Sequence, residues 1–184
     1  MRAFLALELE EEKVIQNLMN AQEELRRTQS DLTIVGKENL HFTVKFLGEI
    51  PEDQIWEIDA RLQRLALRSA DASLVGIGAF PDLRRPRVIW VGILREQYVS
   101  VVPLAEAVIG ALEGIGEREE RQYHPHITLA RVKSGLNKER LSAFLAANAT
   151  REFGNVRLGT LKLKSSILTP GGPIYNDIKE YTLV

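Results

Sequence analysis

Two tetrapeptides in the chain are near copies of each other. They are His41-Phe42-Thr43-Val44 and, 85 residues later, His126-Ile127-Thr128-Leu129. Between them they hold two of the three histidines. Imidazole both gives and takes a proton near neutral pH. Two imidazoles on opposite sides of a phosphorus can therefore serve as general base and general acid in an in-line displacement. Threonine hydroxyls can donate to non-bridging phosphate oxygens, and an arginine can neutralise the phosphate. Arg131 stands five residues after His126. Such chemistry requires no metal when the attacking group is water or a ribose hydroxyl.

These residues need strands to hold them. Segments 39–50 and 123–132 are rich in β-branched and aromatic residues and read as strands, each followed by a helix. Alternation then puts His41 with Thr43, and His126 with Thr128, on one face, and turns Phe42, Val44, Ile127 and Leu129 to the core. The same alternation sends Arg131 to the core face unless a bulge or the strand end turns it. A single His-x-Thr triplet reads as a half-exposed sheet face. Two copies in matching contexts point to two similar lobes facing each other.

Apolar periodicity predicts helices over 10–28, 51–70, 99–113 and 138–148, the last capped by Asn137. The acidic run Glu8 to Glu12 reads as a helix N-terminus. Further strands are expected at 2–9, 74–80, 88–94, 156–168 and 174–183, with a TPGGP turn at 169–173. Several strands are joined by short turns. The fold class is therefore α+β with antiparallel pairing, bilobal, in a single domain spanning 1–184.

Composition removes other classes. With no cysteine among 184 residues, a disulfide scaffold, a thiol nucleophile and a Cys-ligated zinc site are excluded. Twenty-four Lys and Arg against 25 Asp and Glu leave a net charge of −1. Non-specific coating of DNA needs a large basic excess, so a basic patch can only be local. No apolar run reaches the roughly 20 residues of a spanning helix, and the N-terminus lacks the features of a secretory signal. A cytoplasmic monomer with no membrane association is the expectation.

The segments LHFTVKFLGE at 40–49 and HPHITLAR at 124–131 resemble the two-histidine phosphoesterase superfamily. The start MRAFLALEL, FPDLRRPRVIWVGI at 80–93 and KSSILTPGGPIY at 164–175 bring the resemblance to the RNA 2′,3′-cyclic phosphodiesterases, also called 2′-5′ RNA ligases, of bacteria and archaea. This resemblance implies a bilobal α+β fold with two pseudo-symmetric antiparallel sheets walling a cleft. It implies cofactor-free opening of RNA 2′,3′-cyclic phosphate ends to 2′-phosphates, and ATP-independent 2′-5′ joining of tRNA halves. By position, His41 and His126 would be the acid–base pair, with His126 as base for water and His41 as acid. Thr43 and Thr128 would hold the phosphate, and Arg131 matches the arginine after the second motif.

Other residues carry weaker expectations. Arg84, Arg85 and Arg87 cluster in one loop, where they either contact flanking RNA phosphates or form a solvated hairpin tip. Tyr123 could stack a base. Phe46 could also stack a base, but alternation sends it to the core side, where Trp56 and Trp90 are assigned as well, and Tyr175 is assigned to cleft lining or plain packing. His124 is either a strand-edge histidine held by Pro125 or a site residue. Two competing readings follow. His41, His124 and His126 could hold a metal for hydrolysis, or the chain could be a non-catalytic module that binds RNA ends.

Overall fold

The chain builds two antiparallel wings that meet at the strands carrying the motifs. The computed structural model describes residues 1–118 and 121–184. The elements are β1 (Arg2–Glu8), α1 (Glu12–Arg27), β2 (Leu32–Ile34), β3 (His41–Glu49), α2 (Gln54–Leu62), β4 (Ala70–Phe80), β5 (Val88–Ile93), α3 (Tyr98–Ala111), β6 (Ile127–Val132), α4 (Lys138–Ala147), β7 (Glu152–Leu158), β8 (Thr160–Thr169) and β9 (Gly172–Thr182). The sheet order is β7-β4-β5-β6-β3-β1-β8-β9, with β2 paired to β6. Read outward from the centre, one wing is β3-β1-β8-β9 and the other is β6-β5-β4-β7. The expected α+β, bilobal architecture is present, with the two lobes' sheets joined edge to edge.

That join is narrow. β3 and β6 share one register pair, Phe42 with Ile127. Beyond it β3 leaves the edge, and β2 takes over opposite Ala130, Arg131 and Val132. The cores are less divided than the sheets. Buried side chains of both wings form one apolar cluster, running from Leu5, Leu7 and Leu163 to Leu74, Ile89 and Phe153. α1 follows the first strand of one wing yet packs on β7 and β6 of the other.

Several boundaries differ from the sequence expectation, each for a local reason. The helix expected over 51–70 stops at Leu62. Past it, the Leu67 carbonyl accepts from Val184 and the Ser69 N–H donates to Val184, so the C-terminus captures this backbone. Segment 156–168 is two strands, β7 in one wing and β8 in the other, broken at Gly159. The buried residues change phase there, from Val156 and Leu158 to Leu161 and Leu163. β6 starts at Ile127 rather than 123, because Pro125 has no N–H for a ladder. Asn137 precedes α4 as expected, but in a left-handed conformation with no side-chain cap; its amide donates to the Gln29 carbonyl instead. Of the acidic run, only Glu12 lies in the first turn of α1, while Glu8 belongs to β1.

Candidate active site

The Phe42–Ile127 pair is the pivot of the site. Both side chains are fully buried. Antiparallel register carried one residue either way sets His41 across from Thr128 and Thr43 across from His126. Alternation turns all four away from the core, and each is half-buried. The two motifs thus form one quartet around an approximate two-fold axis.

Paired bulges extend this symmetry. β1 pairs Leu5 with Lys45 and Ala6 with Thr43, leaving Val44 as an extra residue. β5 pairs Ile89 with Ala130 and Trp90 with Thr128, leaving Leu129 extra. Each bulge comes one residue after the motif threonine and reverses the parity beyond it. Two consecutive buried residues mark each slip, Val44–Lys45 and Leu129–Ala130. Arg131 is therefore turned from the core face to the site face. It is exposed, and its charge reaches both His126 and Tyr175. Phe46, assigned to the core from alternation, is corrected in the same way. It is 53 % exposed and its ring lies 6.2 Å from Phe4, which stacks on His41 at 5.2 Å. The internal repeat held the signal, since Phe46 and Arg131 are also 85 residues apart.

The two histidines have different surroundings. His41 Nε2 lies 3.1 Å from Thr43 Oγ1, and Tyr175 meets the ring edge-on at 5.7 Å. Tyr175 therefore lines the site. Burial, reinforced by the Lys164 ammonium, pushes His41 down to about 4, against a weaker opposing pull from the Asn39 backbone. Lys164 is 6 % exposed and sits between Glu8 at 2.6 Å and Asp177 at 3.1 Å. Sequence reasoning missed Phe4, Glu8, Lys164 and Asp177. The alternation of Lys162 and Lys164 with Leu161 and Leu163 was the available signal.

His126 sits in an aromatic wall. Phe80 meets it edge-on at 4.9 Å, and Trp90, assigned to the core, lies 6.3 Å away. Its Nδ1–H donates to the His124 carbonyl at 2.7 Å, which leaves Nε2 as the free lone pair. Burial lowers its pKa, partly offset by that carbonyl. His124 contributes its backbone, while its ring packs on Trp90 at 5.0 Å and meets the Tyr98 hydroxyl at 3.3 Å. Among the described residues, no three His, Asp or Glu side chains converge as a metal-ligand set. The three-histidine metal reading therefore finds no geometry to support it.

The remaining candidates separate. Tyr123, expected as a base contact, packs against the core, and its buried hydroxyl has no hydrogen-bond partner among the described residues. Trp56, expected in the core, is 74 % exposed beneath Lys179. Arg84, Arg85 and Arg87 are exposed between β4 and β5. They line a cavity outside the histidine quartet.

Comparison with known proteins identifies relatives along the whole chain. The profile of the family described as "LigT like Phosphoesterase" matches residues 8–90 and 100–175. A Methanothermobacter thermautotrophicus protein named RNA 2′,3′-cyclic phosphodiesterase is 35% identical, over 99% of this chain and 98% of its own. A Methanocaldococcus jannaschii protein of the same name is 36% identical, over 98% of this chain and all of its own. A crystal structure from Thermus thermophilus superposes with a TM-score of 0.80 at 31% identity, covering 100% of this chain and 98% of that one. An Escherichia coli LigT structure complexed with 3′-AMP has the same fold, with a TM-score of 0.80 at 22% identity, over 99% and 97% of the two chains.

Proposed function

The chain belongs to the LigT-like phosphoesterase family, and on that premise we propose that it opens 2′,3′-cyclic phosphate ends of RNA to 2′-phosphates by metal-independent acid–base catalysis. The observation that carries this reading is the quartet around Phe42 and Ile127. It puts two imidazoles and two hydroxyls around one point, with Arg131 beside them.

The roles follow from the surroundings. His126 is the base. Its Nδ1–H is held by a carbonyl, so Nε2 can take a proton from water while the carbonyl stabilises the imidazolium that forms. The water oxygen bonds to phosphorus, the P–O3′ bond breaks, and His41 gives its proton to the departing O3′. The product is a 2′-phosphate with a free 3′-hydroxyl. Thr43 and Thr128 donate to non-bridging oxygens, and Arg131 offsets their charge. His41 must enter this step protonated. Burial opposes that in the free enzyme, but a phosphate anion between the histidines favours the imidazolium. If a 5′-hydroxyl replaces water as nucleophile, the same transfers join two ends, such as tRNA halves, by a 2′-5′ bond.

The test is product analysis with excess EDTA. A short RNA ending in a 2′,3′-cyclic phosphate is expected to yield only the 2′-phosphate, carrying one ¹⁸O when the reaction is run in labelled water. A 3′-phosphate product, or turnover only when a divalent metal is restored, would contradict the mechanism.

A further inference from the structure

A second feature lies at the Arg131 end of the quartet. A cavity of about 310 Å³ is lined by five basic side chains, Arg84, Arg85, Arg87, Lys133 and Lys138, and, among the described residues, by no carboxylate. The three arginines come from the β4–β5 connection, Lys133 follows β6, and Lys138 opens α4. All five residues are exposed. Among the described residues, none of the five has an ion-pair partner within 4.0 Å. The acidic residue of this connection, Asp82, accepts the backbone N–H groups of Arg84 and Arg85 at 2.8 and 2.9 Å. The Asp82 carboxylate also lies within electrostatic reach of the Arg84 and Arg85 charges, but one acidic group does not balance five cations, so in a chain of net charge −1 this is a concentrated excess of positive charge that favours an anion.

Its position says which anion. Arg131 pairs with Val88, and the next residue, Val132, donates to the Arg87 carbonyl. The cavity thus abuts the residue that carries the site's positive charge. At about 3.3 Å per strand residue, seven residues from His126 to Lys133 span roughly 23 Å. A strand of RNA leaving the quartet along β6 reaches this cavity with phosphates a few nucleotides from its end. A single nucleotide does not.

We propose that this cavity is a second binding site, for backbone phosphates of the RNA strand upstream of the cyclic end. It makes the substrate an oligonucleotide rather than a cyclic mononucleotide. The inference rests on the proposed phosphodiesterase activity. Electrostatic phosphate contacts carry no base information, so the site measures length and not sequence.

The experiment compares wild type with the double variant Lys133→Ala/Lys138→Ala. The substrates are a mononucleoside 2′,3′-cyclic phosphate and a short oligoribonucleotide with the same end. Wild type is expected to favour the oligonucleotide in kcat/KM, and the double variant to lose about tenfold of that advantage. In parallel, fluorescence anisotropy measures binding of a labelled oligonucleotide ending in a 2′-phosphate across a salt series. Each phosphate contact contributes about −0.7 to the log–log salt slope on single strands, so the variant's slope becomes shallower by about 1.4. An unchanged length advantage with an unchanged slope overturns the second site. If wild type turns over neither substrate, the phosphodiesterase reading falls, and the anisotropy series still decides the cavity. Weaker binding with a shallower slope supports it, and equal binding refutes it.

Discussion

The two histidines carry opposite burdens in surroundings that share one property, since both are held below the ordinary imidazole range. kcat/KM reports the free enzyme, in which one histidine must be protonated and the other neutral. His41 lies at about 4 and His126 below its ordinary value. Above the higher of the two, both rings are neutral and the acid is missing. The alkaline limb of kcat/KM is therefore expected below pH 6.5, falling about tenfold per pH unit. The corresponding limb of kcat lies higher, because the bound anion stabilises the imidazolium. A pH series on both parameters checks this, and coincident limbs at the ordinary imidazole value would contradict it. Arg131 makes a second prediction at this scale. Arg131→Ala is expected to lower kcat/KM by about 10²-fold. Arg131→Lys recovers part of the loss, since it keeps the charge but not the planar fork. Steady-state kinetics on the cyclic phosphate distinguishes the two.

At the scale of elements, the strands position the site and the bulges aim it. The His-x-Thr pairs were legible because strand period and residue type coincide in one tetrapeptide, and because the tetrapeptide recurs. Arg131 and Phe46 were not placed by the same rule. A bulge adds one residue and reverses every side chain beyond it, and Val44 and Leu129 look like ordinary core residues in the sequence. The split at Gly159 was likewise hidden inside a β-favouring run. The lysines of β8 show what element packing adds. Lys164 belongs to a strand that no motif marks, yet it joins Glu8 of β1 to Asp177 of β9 beside His41. Lys164→Met takes the buried cation away from Glu8, while Asp177 keeps Lys162 at 2.6 Å, at a cost of about 3 kcal/mol. It also relieves the electrostatic pressure on His41. Denaturant unfolding is expected to show the loss of stability, and the pKa of His41, followed by NMR, is expected to rise.

The whole molecule reconciles two sheets with one core. The lobes were legible as a repeat, but their fusion was not, because it rests on the single Phe42–Ile127 pair, which no periodicity announces. The apolar cluster runs through both wings, so the lobes are expected to unfold together. Trp56 of α2 and Trp90 of β5 report on different wings, and single-tryptophan variants are expected to give coincident denaturant midpoints. Phe42→Ala, at the pivot, is expected to cost about 3–5 kcal/mol of stability and to lower both midpoints together. Separate transitions would mean that the wings fold independently and that the quartet is held by less than the core implies. No helix among the described residues is long and apolar enough to cross a membrane.

The most direct test of the central claim is single-turnover kinetics, in EDTA, of wild type, His41→Ala, His126→Ala and the double variant on one RNA with a 2′,3′-cyclic phosphate end. Each single substitution is expected to slow the chemical step by about 10²–10⁴-fold. The double variant is expected to be scarcely slower than either, because acid and base act as a unit. Near-normal turnover by both single variants would contradict the two-histidine mechanism.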